Sequence, residues 1–182
     1  MTDELTERPI SSRQVFSGRL LAVRVDEVEL PDGVRATREI VRHPGAVAIV
    51  PLLSDDRVIL IRQYRHAAGE VVWELPAGVL EKGEEPAECA RRELIEETGY
   101  AAGELAPLLS TFVSPGFSSE IIHLFLARDL RRVEARAEPD ERIETHVLPF
   151  DEAVAMVLRG EVRNAAAICG LLAVAQRRRG SG

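Results

Sequence analysis

Apolar positions change period several times along the chain, and each change marks an element. Residues 14–30, "QVFSGRLLAVRVDEVEL", alternate apolar and polar from Leu20 onward, which is the two-residue period of a half-buried strand. "PDG" at 31–33 is turn chemistry, and 34–43 resumes as a second strand, so an N-terminal β-hairpin is predicted. Residues 46–53, "AVAIVPLL", and 57–65, "RVILIRQYR", flank a turn at "SDD" and predict a second hairpin, more apolar and so more central. "VVWELPAG" reads as a short strand closed by Pro76 and Gly78. A helix then opens at Glu84 or Glu85, with Pro86 near the first helical position where its missing N–H costs nothing, and Gly99 ends it. Strands follow around 106–113 and 120–128, then an acidic loop at 134–144, then a strand to Pro149. A helix opened by Asp151 and a longer one capped by Asn164 complete the chain. The expected fold class is α/β, a mixed sheet sandwiched between helices, with 1–42 as a strand segment ahead of a main domain at 43–182.

Composition narrows the function classes. A chain of 182 residues with 46% apolar and 29% charged residues can bury a proper core and shows no sign of wholesale disorder. No apolar run reaches the length of a membrane span, and the start lacks the basic-then-apolar form of a signal peptide, so no membrane and a cytoplasmic location are expected. Cys89 and Cys169 lie far apart with no CxxC pair, as reduced thiols would. The formal net charge of -7 argues against nonspecific nucleic-acid binding. It is compatible with a small anionic substrate if a metal or local arginines reverse the field at the site.

The helix at 86–98 carries its acids at the wrong end. Glu93, Glu96 and Glu97 crowd just before Gly99, where carboxylates at i, i+3 and i+4 repel by roughly 0.2–0.5 kcal/mol per pair and the helix dipole favours a cation. On a helical wheel Ala87, Ala90 and Leu94 form an apolar stripe bordered by Glu93 and Glu97. Taken alone, "ELIEE" reads more readily as a solvated acidic face. Hard oxygens clustered at the rim of a core also suit Mg²⁺ or Mn²⁺, which would turn mutual repulsion into coordination.

The stretch Gly78 to Tyr100, "GVLEKGEEPAECARRELIEETGY", resembles the box of the Nudix hydrolases, GX5EX7REUXEEXGU, with U a bulky apolar residue. Gly78, Glu84, Arg92, Glu93, Leu94, Glu96, Glu97 and Gly99 fall in register, and only Tyr100 departs from the usual aliphatic residue. The resemblance implies a Nudix α/β/α sandwich with the N-terminal hairpin appended, and metal-dependent hydrolysis of a nucleoside diphosphate linked to another group. By position it implies Glu93, Glu97 and Glu96 (directly or through water) as metal ligands, with the Ala77 carbonyl as a further partner. Arg92 would orient a box glutamate, and Glu84 would be structural.

Pro115 follows Tyr100 by fifteen residues, and "PGFSSE", "REIVRHPGAVAIVPL" and "IRQYRHAAGEVVWELPAG" also resemble the ADP-ribose pyrophosphatases of this family. That likeness implies ADP-ribose as substrate. It implies Arg38 and Arg65 on the pyrophosphate or terminal ribose, a role favoured over that of exposed strand arginines, and Phe117 or Phe16 against adenine, where each phenylalanine could equally be plain core. Pro115 would be a further substrate-binding position. Trp73 and the histidines His66, His123 and His146 read as structural. The general base would come from the acidic loop, with Glu141 favoured over Glu138, Asp140 and Glu144, and Glu96 the second acid of the reaction. The likeness further implies a homodimer built through residues 14–42. Two rival readings are a Nudix enzyme for another nucleotide sugar or nucleoside diphosphate, and a non-catalytic ADP-ribose-binding Nudix domain.

Overall fold

The computed structural model describes residues 5–134 and 142–180, which fall into two units, Met1–Gly45 with Phe112–Ile121, and Ala46–Thr111 with Ile122–Gly182. In the first, β1 (Arg8–Ser17), β2 (Ala22–Glu29) and β3 (Arg35–Arg42) form an antiparallel sheet in that order. The expected hairpin is therefore three strands. The segment read as one strand from residue 14 is broken where the Gly18 N–H donates to the Leu21 carbonyl at 2.8 Å. Every residue of β1 is exposed, so its sequence carries no in-out contrast to betray a strand. Within the same unit the Val41 N–H donates to the Phe117 carbonyl at 2.7 Å, which joins the 112–121 segment to the edge of β3.

The second unit contains β4 (Ala46–Pro51), β5 (Arg57–Arg65), β6 (Glu70–Glu74), β7 (Ala77–Val79), α1 (Pro86–Thr98), β8 (Tyr100–Phe112), β9 (Ile121–Arg132), β10 (Ile143–Pro149), α2 (Phe150–Leu158) and α3 (Ala165–Arg179). β4 pairs antiparallel with β7 and parallel with β9, giving a mixed sheet in the order β7-β4-β9-β8. Its six residues are all buried. Val47 and Ile49 pack with Cys89, Ala90 and Leu94 of α1, whereas Ala48 and Val50 pack with Ala167, Leu171 and Val174 of α3. Alternation along one strand thus covers opposite sheet faces with opposite helices, which is the α/β/α sandwich. Each fully buried Leu or Val contributes roughly 1.5–3 kcal/mol of burial.

Three expectations change here. Between β4 and β5 the chain turns through the Leu52–Val58 bridge and a Leu53 N–H to Arg57 carbonyl bond at 2.8 Å, but the two strands form no extended hairpin, because β5 pairs along its length with β10 and β6 in a separate sheet, order β10-β5-β6. Continuous apolar runs say that both strands are buried but not which partner each takes. The inward stripe of α1 is Cys89, Ala90 and Leu94, with Ala87 exposed. α2 starts at Phe150 rather than Asp151: the Phe150 ring is 1% exposed and its N–H donates to the Asp56 carbonyl at 3.0 Å. Asn164 does cap α3, accepting from the Ala167 N–H at 3.0 Å. Both cysteines are free, Cys89 buried and Cys169 half-buried.

Candidate active site

The site is built on α1. Pro86 occupies its first turn, and no basic residue offsets the acids in its last. Gly99 closes the helix with φ 70°, a left-handed conformation that glycine adopts without a Cβ clash, and its N–H donates to the Ile95 carbonyl at 2.9 Å. Thr145 of β10 pins the same end by donating its hydroxyl to the Glu97 carbonyl at 3.2 Å.

Arg92 gathers the acids. Its Nε and Nη2 hold both oxygens of Glu84 at 3.0 and 3.1 Å, while Nη1 reaches Glu93 at 2.6 Å and Glu96 at 2.9 Å. One cation against three carboxylates leaves the cluster anionic. Bonding to Arg92 draws the Glu84 carboxyl down to about 2, and the same bonds drive the Arg92 pKa upward. Cys89, beneath Arg92, is pushed up to about 12 chiefly by burial, which keeps it a neutral thiol.

Glu93 and Glu97, one helical turn apart, lie against a single dipeptide. The Glu97 carboxylate, 8% exposed, accepts from the Ala77 N–H at 2.8 Å. A Cβ on Gly78 would collide with the Glu93 carboxyl group, so a larger residue there would push that side chain from its seat. Ala77, Gly78, Glu93 and Glu97 are thereby brought together, with Glu96 tied in through Arg92. Among the described residues no three His, Cys, Asp or Glu side chains form a preformed cage. The donor set still fits a hard divalent cation, because Mg²⁺ takes one or two protein carboxylates and keeps waters and phosphate oxygens for the rest. Beside this cluster a cavity of about 360 Å³ is lined by Arg92, Ile95, Glu96, Arg131 and Glu134.

The remaining candidates are distributed between the units. Arg65, at the end of β5, is bound to Glu74 through Nε at 2.9 Å and Nη2 at 2.7 Å. Glu144 of β10 meets Arg62 at 3.2 Å and His146 at 3.4 Å. Trp73 packs edge-on to His146, with centroids 4.8 Å apart and Arg62 over its face, and His123 bonds Ser110 at 2.8 Å. In the N-terminal unit Arg38 is paired with Glu7, Phe16 and Phe117 are exposed, and Pro115 stands in the 112–121 segment. Glu138, Asp140 and Glu141 lie outside the described residues. Sequence reasoning passed over Glu74, the Thr145 pin and the Cys89–Arg92 contact. Glu74 left a trace, an acid inside the otherwise apolar run "VVWELP".

A helix bearing ordered carboxylates is thus packed on a mixed sheet, with one of them accepting from the Ala77 N–H of the facing strand. The chain belongs to the Nudix family, since residues 42–169 match its domain, described as the NUDIX domain. Residues 7–41 match the nucleoside diphosphate sugar hydrolase N-terminal domain. The chain is 42% identical over 163 residues to an ADP-ribose pyrophosphatase of Bacillus subtilis, covering 88% of each protein. It is 45% identical over 150 residues to a methanol dehydrogenase activator of Bacillus methanolicus, covering 81% of each. A solved structure described as an ADP compounds hydrolase superposes with a TM-score of 0.85 at 26% identity, across 100% of this chain and 99% of that one.

Proposed function

We propose that this chain hydrolyses the pyrophosphate of ADP-ribose to AMP and ribose 5-phosphate. The observation that carries the reading is the seating of Glu93 and Glu97 on Ala77–Gly78 while Arg92 orders Glu93 and Glu96. The name of the 42% identical Bacillus subtilis relative supports the substrate. Glu93, Glu97, Glu96 (directly or through water) and the Ala77 carbonyl would hold Mg²⁺, or Mn²⁺ in its place. A divalent ion bound there neutralises phosphate charge and makes water nucleophilic near neutral pH. Hydrolysis joins the water oxygen to one phosphorus and breaks its bond to the bridging oxygen, which leaves with the other phosphate. The proton released by the water passes to a carboxylate, assigned to Glu141, with Glu96 the second acid of the reaction. Arg38 and Arg65 bind the diphosphate or terminal ribose, Phe117 or Phe16 stacks on adenine, and Pro115 lies with them among the substrate-binding residues.

The working form is a cytoplasmic homodimer assembled through the N-terminal strands. Val15 and Phe16, 46% and 55% exposed on β1, support it, because such apolar area is costly to leave in water. No described helix is long and apolar enough to cross a membrane. Incubation with ADP-ribose and a panel of nucleotide sugars, with products separated by chromatography, tests the substrate. AMP and ribose 5-phosphate should form, stop on chelation and resume with Mg²⁺. A clear preference for another nucleotide sugar would replace the substrate, and full turnover without a divalent ion would remove the metal.

A further inference from the structure

Glu74 is the most enclosed charged side chain among the described residues, at 4% exposure, and it lies outside the acidic cluster of α1. A carboxylate buried this far must be paired and hydrogen-bonded. Arg65 Nε donates to its two oxygens at 3.2 and 2.9 Å, Arg65 Nη2 pairs with one of them at 2.7 Å, and Asn164 Nδ2 donates to the other at 2.9 Å. Asn164 is itself fixed, because its Oδ1 caps α3. The Arg65 side chain nevertheless stays 45% exposed, and its Nη1 makes no hydrogen bond among the described residues. One edge of the guanidinium is clamped and the other is presented outward.

The clamp shares its backbone with the site. Glu74 ends β6, and Ala77, whose N–H holds Glu97, follows after Leu75 and Pro76. The segment that anchors the Glu97 carboxylate therefore also anchors Arg65. An unrestrained arginine samples many rotamers, and ordering it on binding weakens affinity; a preset guanidinium avoids that loss. Its planar fork suits the oxygens of a phosphate.

We propose that Glu74, held by Asn164, is a positioning residue that sets Arg65 so that Nη1 meets an anionic oxygen of the substrate diphosphate. This rests on the reading that the chain acts on a nucleoside diphosphate derivative and that Arg65 touches it. KM and kcat are measured for the wild type, Arg65→Ala, Glu74→Gln and the double variant, on the panel compound the wild type turns over fastest, alongside thermal melts. Arg65→Ala and Glu74→Gln should each raise KM about tenfold with a smaller loss in kcat, and the double variant should be no worse than Arg65→Ala. Calorimetric titration with ADP-ribose in EDTA reads the same contact without turnover. Glu74→Asp, which keeps the charge but withdraws the oxygens, should shift KM the same way and serves if Glu74→Gln fails to fold. A wild type that binds without hydrolysis, its affinity falling about tenfold in both single variants, would end the hydrolase reading and leave this one standing. Unchanged KM and affinity in Arg65→Ala, a lowered melting point alone in Glu74→Gln, or effects that multiply in the double variant would overturn the proposal.

Discussion

The acids of the site are compensated in two ways, although Glu84 lies ahead of α1 and the others near its end. Glu97 has the Ala77 N–H, while Glu84, Glu93 and Glu96 share the Arg92 guanidinium. Glu93→Gln and Glu97→Gln keep size and remove a ligand charge. Turnover should fall by orders of magnitude in either, while circular dichroism stays that of the wild type; unimpaired turnover would refute the ligand role. A pH dependence belongs to the same scale. Glu84 is held at about 2 by Arg92, below the ordinary carboxylate value, so the unfolded chain binds its proton first as pH falls. Its contribution is complete above the unfolded value and is lost as pH drops towards 2. Glu84→Gln should therefore flatten the acid side of a stability–pH profile measured by urea denaturation, with its deficit largest near neutrality.

At the level of elements, α1 is defined less by its own propensities than by its ends. Its N-cap residue makes no side-chain bond, its last turn has no cation, and its inward face is only Cys89, Ala90, Leu94 and Glu97. What stops it is Gly99 in the left-handed region, directly before β8. Gly99→Ala should lower stability by roughly 1 kcal/mol or more, since an L-residue is strained there. The loss in activity should exceed what that destabilisation explains, because the Glu97 carbonyl, pinned by Thr145, lies just before the stop. Denaturant melts paired with turnover at 25 °C separate the two effects.

The whole molecule raises the question of assembly. The N-terminal sheet of three strands leaves β1 exposed on every residue and shows Val15 and Phe16 to water. β2 is half-buried and buries Val28, so it is the apolar side chains of β1 that lack cover. Light scattering should give a dimer for the full chain. A chain lacking residues 1–42 should lose both the dimer and ADP-ribose affinity. A fully active monomer at micromolar concentration would dispose of the dimer.

Features that depend on near neighbours in the chain were legible without coordinates. The box spacing placed Gly78, Glu84, Arg92, Glu93, Glu96, Glu97 and Gly99 on a strand, loop and helix, Pro86 and Gly99 bounded that helix, and Asn164 capped α3. Caps and helix stops with a strong local signal, such as Gly99 and Asn164, are readable from a few consecutive residues, whereas the Gly18–Leu21 turn and the start of α2 at Phe150 were not. Partner choice is not local. That β4 takes β9 and β7 while β5 takes β10 and β6, that Ala87 turns outward while Cys89 turns in, and that Arg65 reaches a buried Glu74 braced by Asn164 were decided by tertiary structure. An apolar strand offers equal hydrogen bonds to any neighbour of fitting length, and a buried carboxylate is tolerable only where distant chain supplies its donors. Such choices are settled by packing and polar pairing across the whole fold, and their residues carry no periodic mark of them.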